Sequence, residues 1–292
     1  MIIGLIPAHN ESATISSVIK AIKPWVGEVI VIDDGSQDGT AHEASIAGAK
    51  VLSLSNNYGV GRALKTGFQI CIEEICDHVI LVDGDGAHDG RNAENLIRHH
   101  IDNENDLTIG SRFLSSPAYV PTNKILANCF AAALLNLIER HYISDVACGM
   151  RVLSKKCLSL KFESDSYDLI YEILIKSTRE KLKIGQFETD VRYDGSIPLL
   201  TPVTELMCLI DISHKFCKND VLSDELMKFR NKVVLEKVFK VVMNGYPWMQ
   251  NVLQPIVVYG QPIKDYNAYL FQYSHPYYEQ RDQRMDVDLF LL

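Results

Sequence analysis

An apolar run, Val79 to Val82, breaks off into Asp83, Gly84, Asp85 and Gly86, with Asp89 close behind. Carboxylates crowded at the end of a buried strand repel one another unless a cation or a hydrogen-bond network offsets the charge. Asp83 and Asp85 are one residue apart, so a strand continuing through them would point both side chains to the same face. A hard divalent ion takes one or two protein carboxylates and completes its shell with water and substrate phosphates. The pair therefore suits Mg²⁺ or Mn²⁺, and the competing reading is an Asp/Gly turn that only closes a strand. An EF-hand loop is excluded: His88 stands where its sixth position requires glycine, and a strand precedes where a helix is needed.

A second acidic pair, Asp33 and Asp34 in "VIDDGSQDGT", ends another β-branched run. Ser36, Asp38 and Thr40 behind it read as an Asx turn leading into a helix. A response-regulator receiver also carries an acidic pair at a strand end, but it is far shorter and keeps its phospho-accepting Asp on a later strand. In "NYGVGRALKTG", Gly59, Gly61 and Gly67 lie beside Arg62 and Lys65. Leu64 occupies the third glycine position of a dinucleotide fingerprint, so that motif is absent, as is a P-loop. A helix start with basic residues can still contact a diphosphate.

The elements that must position these residues alternate through the first half. Short apolar runs at 2–6, 28–32, 50–54, 78–82 and 106–110 read as strands, and the segments at 11–23, 38–48, 61–76 and 91–102 read as helices. Asn10 is expected to cap the first helix, whose apolar stripe is Ile15, Val18, Ile19 and Ile22. This alternation predicts an α/β fold with a mainly parallel sheet covered on both faces. Ligands of such sheets bind outside the carboxyl ends of the strands. "PAHNE", "DDGSQDGT" and "DGDGAHD" all fall there, so three strand ends converge on one edge. Further on, 145–156 and 183–196 carry strand character, 167–181 reads as helix, and prolines interrupt the pattern near 197. Residues 203–243 look mostly helical. The stretch from 245 holds seven of the thirteen tyrosines and four of the ten prolines, and reads as an irregular appendage.

Composition narrows the classes. At 292 residues, 47% apolar and 23% charged, the chain is globular, and a net charge of −8 gives no electrostatic reason to expect nucleic-acid binding. Seven scattered cysteines with no C-x-x-C pair read as buried free thiols in a reducing, cytoplasmic compartment. The chain enters a strand at once, with no basic region or cleavage site of a secretory signal. The apolar stretch 125–138 is too short for a membrane span and reads as a buried or surface-seeking helix.

"IPAHNE", "VIDDGSQDGT", "NYGVGRALKTGF", "LVDGDGAHD", "IGSRF" and "DVACGMRVLSKK" resemble, in order and spacing, the family 2 glycosyltransferases of the GT-A fold. The nearest likeness is to the dolichyl-phosphate mannose synthase-like branch, and it covers residues 1–196. The resemblance implies a GT-A domain over 1–197 and a helical or irregular C-terminal extension over 198–292. It implies that Pro7, Ala8, Asn10 and Glu11 line a nucleotide pocket, with Asp33 or Asp34 on the base or ribose. Gly61 and Lys65 would lie along the nucleotide, and Gly84 beside the diphosphate. Asp83 and Asp85 would be the D-x-D pair holding Mg²⁺ or Mn²⁺, with Arg112 and Arg151 facing donor or acceptor phosphates. Three departures stand out: Ala87 where the branch carries a metal-contacting Gln, His9 for a Tyr, and Cys148 for a Ser. The implied activity is inverting transfer from a nucleotide-diphosphate sugar of the GDP-mannose or UDP-glucose type. The acceptor would be a polyprenyl phosphate, met at the cytoplasmic membrane face, or a glycan. A glycan hydroxyl would need a general base, for which Asp145, Asp168 and Glu172 are the candidates. A non-catalytic sugar-nucleotide-binding protein stays open, as does a homo-oligomer. A nucleotidyltransferase is disfavoured, because its G-x-G-T-R signature is missing.

Overall fold

The computed structural model describes residues 1–74, 76–88, 92–114, 120, 122–191, 202–216 and 224. The chain forms two compact units, one of residues 1–115 with 145–197, the other of 116–144 with 198–292. The assignment of 116–144 to the second unit has no counterpart in the sequence pattern.

The first unit is built on a seven-stranded sheet. Its strands are β1 (Ile2–Ala8), β2 (Glu28–Asp33), β3 (Lys50–Ser53), β4 (His78–Leu81), β5 (Leu107–Ser111), β6 (Arg151–Ser154) and β7 (Ile184–Glu188), in the order β3-β2-β1-β4-β6-β5-β7. β1 pairs in parallel with β2 and β4, β2 with β3, and β5 with β7. Of these seven strands only β6 runs antiparallel, between β4 and β5. Four residues of "RVLS" carry no pattern that reveals strand direction, so this reversal is a finding of the structure.

The connecting helices are α1 (Ile15–Ile22), α2 (Thr40–Ile46), α3 (Val60–Glu73), α4 (Asn92–Asp102), the single turn α6 (Lys155–Leu158) and α7 (Leu169–Arg179). α1 buries the four apolar residues its periodicity marks. α3 lies close on β1 because Gly67 has no side chain: a Cβ there would stand 2.5 Å from Leu5 Cδ1. In the second unit α5 (Thr122–Glu139) packs on α8 (Pro202–Phe216). Among the described residues no helix is long and apolar enough to cross a membrane. The readings of helix beyond 216 and of the tyrosine-rich stretch lie outside the described residues, as do Asp89 and Cys217.

Asn10 does not cap α1. Its backbone is left-handed at φ 57°, a conformation asparagine tolerates. Its side-chain Oδ1 accepts from Gln37 N at 2.9 Å, and its own N–H donates to Ser36 Oγ at 2.9 Å. A one-turn lead-in over 11–14 starts the helix instead, with Thr14 and Ile15 N–H on Glu11 O. The residue expected to punctuate a helix ties two strand-end loops together.

Candidate functional site

The sheet ladder runs on past the strands and brings their carboxyl ends side by side. Asp34 N donates to Ala8 O at 2.8 Å, and Val82 N to Leu5 O at 3.2 Å. The segments after β1, β2 and β4 therefore share one edge, as the strand spacing predicts. Beyond Val82 the chain turns rather than continuing as strand, so the two aspartates meet through a turn. Gly84 makes that turn fit against β1: a Cβ on it would be 3.2 Å from Ala8 Cβ and 3.3 Å from Pro7 O. Thr14 Oγ1 donates to Gly84 O at 2.8 Å and lies 3.1 Å from Glu11 Oε2, closing α1's start onto the same turn.

Asp83 is the electrostatic centre of this edge. Among the described residues its carboxylate accepts no hydrogen bond, although its side chain is 42% exposed. Burial pushes its pKa up to about 7, and the Asp85 charge adds to the rise against the opposing Arg151 and Arg112. Burial likewise raises Glu11, with Asp85 and Asp38 adding repulsion. Asp85 Oδ1 accepts from Ala87 N at 2.9 Å, and its other oxygen accepts no hydrogen bond among the described residues. Two carboxylates short of donors, with a third nearby, form a site short of positive charge. No group of three or more His, Cys, Asp or Glu suited to a metal occurs among the described residues. Two hard carboxylate oxygens, one each from Asp83 and Asp85, would suit a Mg²⁺ or Mn²⁺ whose shell is completed by diphosphate and water.

The floor under Asp83 is supplied by Gly149, which sequence reasoning passed over inside "CGMR". A Cβ on Gly149 would lie 1.9 Å from Asp83 Oδ2, so the carboxylate rests directly on its backbone. His88 flanks the same oxygen, with Nε2 3.9 Å from Asp83 Oδ2 and 3.9 Å from Cys148 Sγ. Burial drives the His88 pKa down to about 4, and drives the Cys148 thiol up to about 12. Both are neutral near pH 7.

The acidic pair after β2 splits in role. Asp33 Oδ1 accepts from Ser36 N at 3.1 Å, one of its two oxygens. Asp34 spends both oxygens on the loop leading to α3, accepting from Tyr58 N at 2.8 Å and Gly59 N at 2.7 Å. Of the two, Asp33 has one oxygen that accepts no hydrogen bond among the described residues. His9 is fixed between Asp34 O at 2.8 Å and Asn10 Nδ2 at 3.1 Å. Gly61 faces protein: its missing Cβ would stand 2.1 Å from Ser166 O. Lys65 Nζ and Arg62 Nη2 both hold the Asp165 carboxylate, at 2.7 and 3.0 Å. The basic start of α3 is thus turned to residues 165–166.

Four expected chemical residues, Arg151, Arg112, Asp145 and Glu172, make hydrogen bonds and ion pairs within the protein instead. Arg151 has no exposed surface, and its guanidinium donates to the carbonyls of Cys148, Ile170 and Val146 at 2.8, 2.7 and 2.9 Å. It staples β6 to the 146–148 loop and α7, and does not face a phosphate. Asp145 is buried and accepts from Arg112 N, Nε and Nη2 at 3.1, 2.6 and 2.7 Å and from Ala147 N at 3.3 Å. A carboxylate saturated in this way is no general base, and the two residues are one bidentate ion pair. Glu172, also buried, accepts from Glu163 N and Ser164 N at 2.8 Å each and pairs with Lys176 Nζ at 2.8 Å. Asp168 sits at the start of α7, bonded by Ser166 Oγ. The sequence places these residues near the site, but only packing shows which charges are already spent.

Residues 5–160 match the model of the glycosyl transferase family 2 domain. A UDP-N-acetylglucosamine–dolichyl-phosphate N-acetylglucosaminyltransferase of Methanococcus voltae is 27% identical, over 62% of this chain and 82% of that protein. An undecaprenyl-phosphate mannosyltransferase of Micrococcus luteus is 25% identical, over 61% and 78%. Among solved structures, glucosyl-3-phosphoglycerate synthase from Mycobacterium tuberculosis, in complex with Mn²⁺, uridine diphosphate and glucosyl-3-phosphoglycerate, superposes with a TM-score of 0.57 at 27% identity. That match covers 72% of this chain and 75% of the other.

Proposed function

The chain belongs to glycosyl transferase family 2 and is a glycosyltransferase of GT-A fold, and from that premise we propose that it moves a sugar from a nucleotide-diphosphate donor to a polyprenyl phosphate with a divalent ion on Asp83 and Asp85. The observation that carries the proposal is the donor-poor pair of carboxylates on the β4 turn, held against β1 and the Gly149 backbone. Repulsion between them is relieved when a cation binds, and the diphosphate supplies the remaining oxygens.

The donor lies along the edge formed by Pro7, Ala8, Asn10, Glu11 and Asp33, with its diphosphate beside Gly84. An acceptor oxygen attacks the anomeric carbon, the bond from that carbon to the diphosphate breaks, and the nucleoside diphosphate leaves with the electron pair. The bound ion would offset that charge as a Lewis acid, worth several kcal/mol. This chain's own contribution is to hold the two carboxylates and the donor in register. The acceptor class follows from what the structure withholds. Asp145 and Glu172, two of three base candidates, are saturated with donors, whereas a phosphate oxygen is already anionic and needs no base. The relatives named for dolichyl- and undecaprenyl-phosphate transfer support the same acceptor.

A thermal-shift screen of GDP- and UDP-sugars with and without Mn²⁺ tests the proposal. A donor at a hundred times its Kd stabilises the fold by about 2.7 kcal/mol. The expected result is a Mn²⁺-dependent rise in the wild type that Asp85→Ala loses while keeping its circular dichroism spectrum. Full transfer activity in Asp85→Ala would sink the metal assignment.

A further inference from the structure

We propose that His88 is a positioning residue for Asp83, its Nε2–H anchoring Oδ2 so that the other carboxylate oxygen is presented to the divalent ion. The inference rests on the metal reading above and goes beyond it to a residue outside the D-x-D pair. Three observations carry it.

His88 is almost fully buried, and its Nδ1 has no hydrogen-bond partner. For folding alone, a phenyl ring would fill this place without burying an unsatisfied nitrogen. Polar groups kept against that cost concentrate where a site needs them.

The geometry fixes which nitrogen faces the site. Nε2 lies 3.9 Å from Asp83 Oδ2 and 3.9 Å from Cys148 Sγ. The Cys148 thiol donates to Met150 O at 3.7 Å, so its sulfur lone pairs are left toward the ring. Both neighbours lie on the Nε2 side, and a ring hydrogen on Nε2, as the proposal requires, makes Nδ1 the buried acceptor. The contact to Oδ2 is longer than a hydrogen bond, and a shift of the carboxylate by less than about 1 Å completes it.

Oδ2 is also the oxygen held most closely by Gly149. Ring and glycine thus neighbour the same oxygen of Asp83. His88 in turn is fixed by its backbone bridge to Val191. The imidazole supplies orientation that the missing side chain at Ala87 does not, and acts on the ligand rather than on the ion.

The test is a titration of the full chain with Mn²⁺ alone, followed by the loss of the free-ion electron paramagnetic resonance signal. Removing an outer-shell partner typically costs 10–100-fold in metal affinity, and His88→Phe should weaken Mn²⁺ binding by about that factor. In metal-free buffer the same variant should melt at or above the wild type. His88→Gln, whose amide N–H takes the place of Nε2–H, should recover most of the affinity. Wild-type affinity in His88→Phe, with Asp85→Ala unable to bind, overturns this inference alone. Absence of Mn²⁺ binding in the wild type overturns the metal reading with it. Should His88→Phe not fold, nitrogen-15 histidine spectra of the wild type decide: the Nε2–H tautomer is expected, and an Nδ1–H tautomer refutes the anchor.

Discussion

At the scale of single residues, the least conspicuous one carries the sharpest expectation. Gly149 offers no functional group, yet its bare backbone is the surface on which the Asp83 carboxylate rests. Adding one methyl at 1.9 Å from Oδ2 forces the carboxylate away, because the three atoms nearest to it all belong to the Asp83 side chain. Gly149→Ala should lower kcat/KM by about 100-fold or more, since displacing a positioned group by 1 Å can cost that much. Its melting temperature should change little, as Asp83 is free to rotate outward into solvent. Steady-state kinetics beside a thermal melt checks this, and wild-type kcat/KM would show that Asp83 needs no such seat. The placing of Asp83 and Asp85 at the end of β4 was legible in the sequence because two acidic letters break off an apolar run. Gly149 was not, because a contact defined by an absent side chain leaves no chemical signature. Arg151 and Asp145 misled for the opposite reason: their letters announce charge, while only packing reveals that carbonyls and Arg112 have used it.

Whole elements were more legible than their partners. The alternation of β-branched runs and amphipathic stretches located β1 to β5 and α1 to α4, since periodicity records which face is buried. The antiparallel insertion of β6 and the pairing of β5 with β7 depend on pairings across more than forty residues of chain, which local pattern does not encode. One such junction joins β4, α4 and β5 at the opposite end of β4 from the site. His78 Nδ1 lies 3.1 Å from His100 Nε2, and His100 Nδ1 lies 2.8 Å from Thr108 Oγ1. His100 has no exposed surface, and burial drives its pKa down to about 4, with His78 beside it also lowered. Both rings are therefore neutral in the fold, while in the unfolded chain a histidine takes up its proton near pH 6.5. Below 6.5 the unfolded state binds more protons, so stability is lost as pH falls and the loss levels off near 4, where the native ring is protonated as well. For His100 the full loss is on the order of 3 kcal/mol. Urea unfolding at steps between pH 7 and 4.5 should show the wild type losing stability faster than His100→Phe. Parallel curves for the two proteins would place the acid sensitivity elsewhere.

At the scale of the whole molecule, the open question is what the transferred sugar lands on. The net charge of −8 provides no general attraction to an anionic membrane surface, and no described helix is long and apolar enough to span one. A phosphate oxygen brings its own negative charge, whereas a sugar hydroxyl must lose a proton to a base. Two of the three carboxylates that sequence spacing offered for that task are buried and fully bonded. The pH dependence of transfer should accordingly lack the rising limb that a general base imposes, once metal is saturating. Side-by-side assays with one donor, a polyprenyl phosphate in detergent and a panel of oligosaccharides should show transfer to the polyprenyl phosphate. Asp168→Asn, which removes the one candidate base not saturated by packing, should leave that transfer within about threefold of the wild type, well short of the 10²–10⁴-fold that a general base contributes. Transfer to oligosaccharides alone, abolished by Asp168→Asn, would reverse the assignment and make α7's first turn the catalytic base.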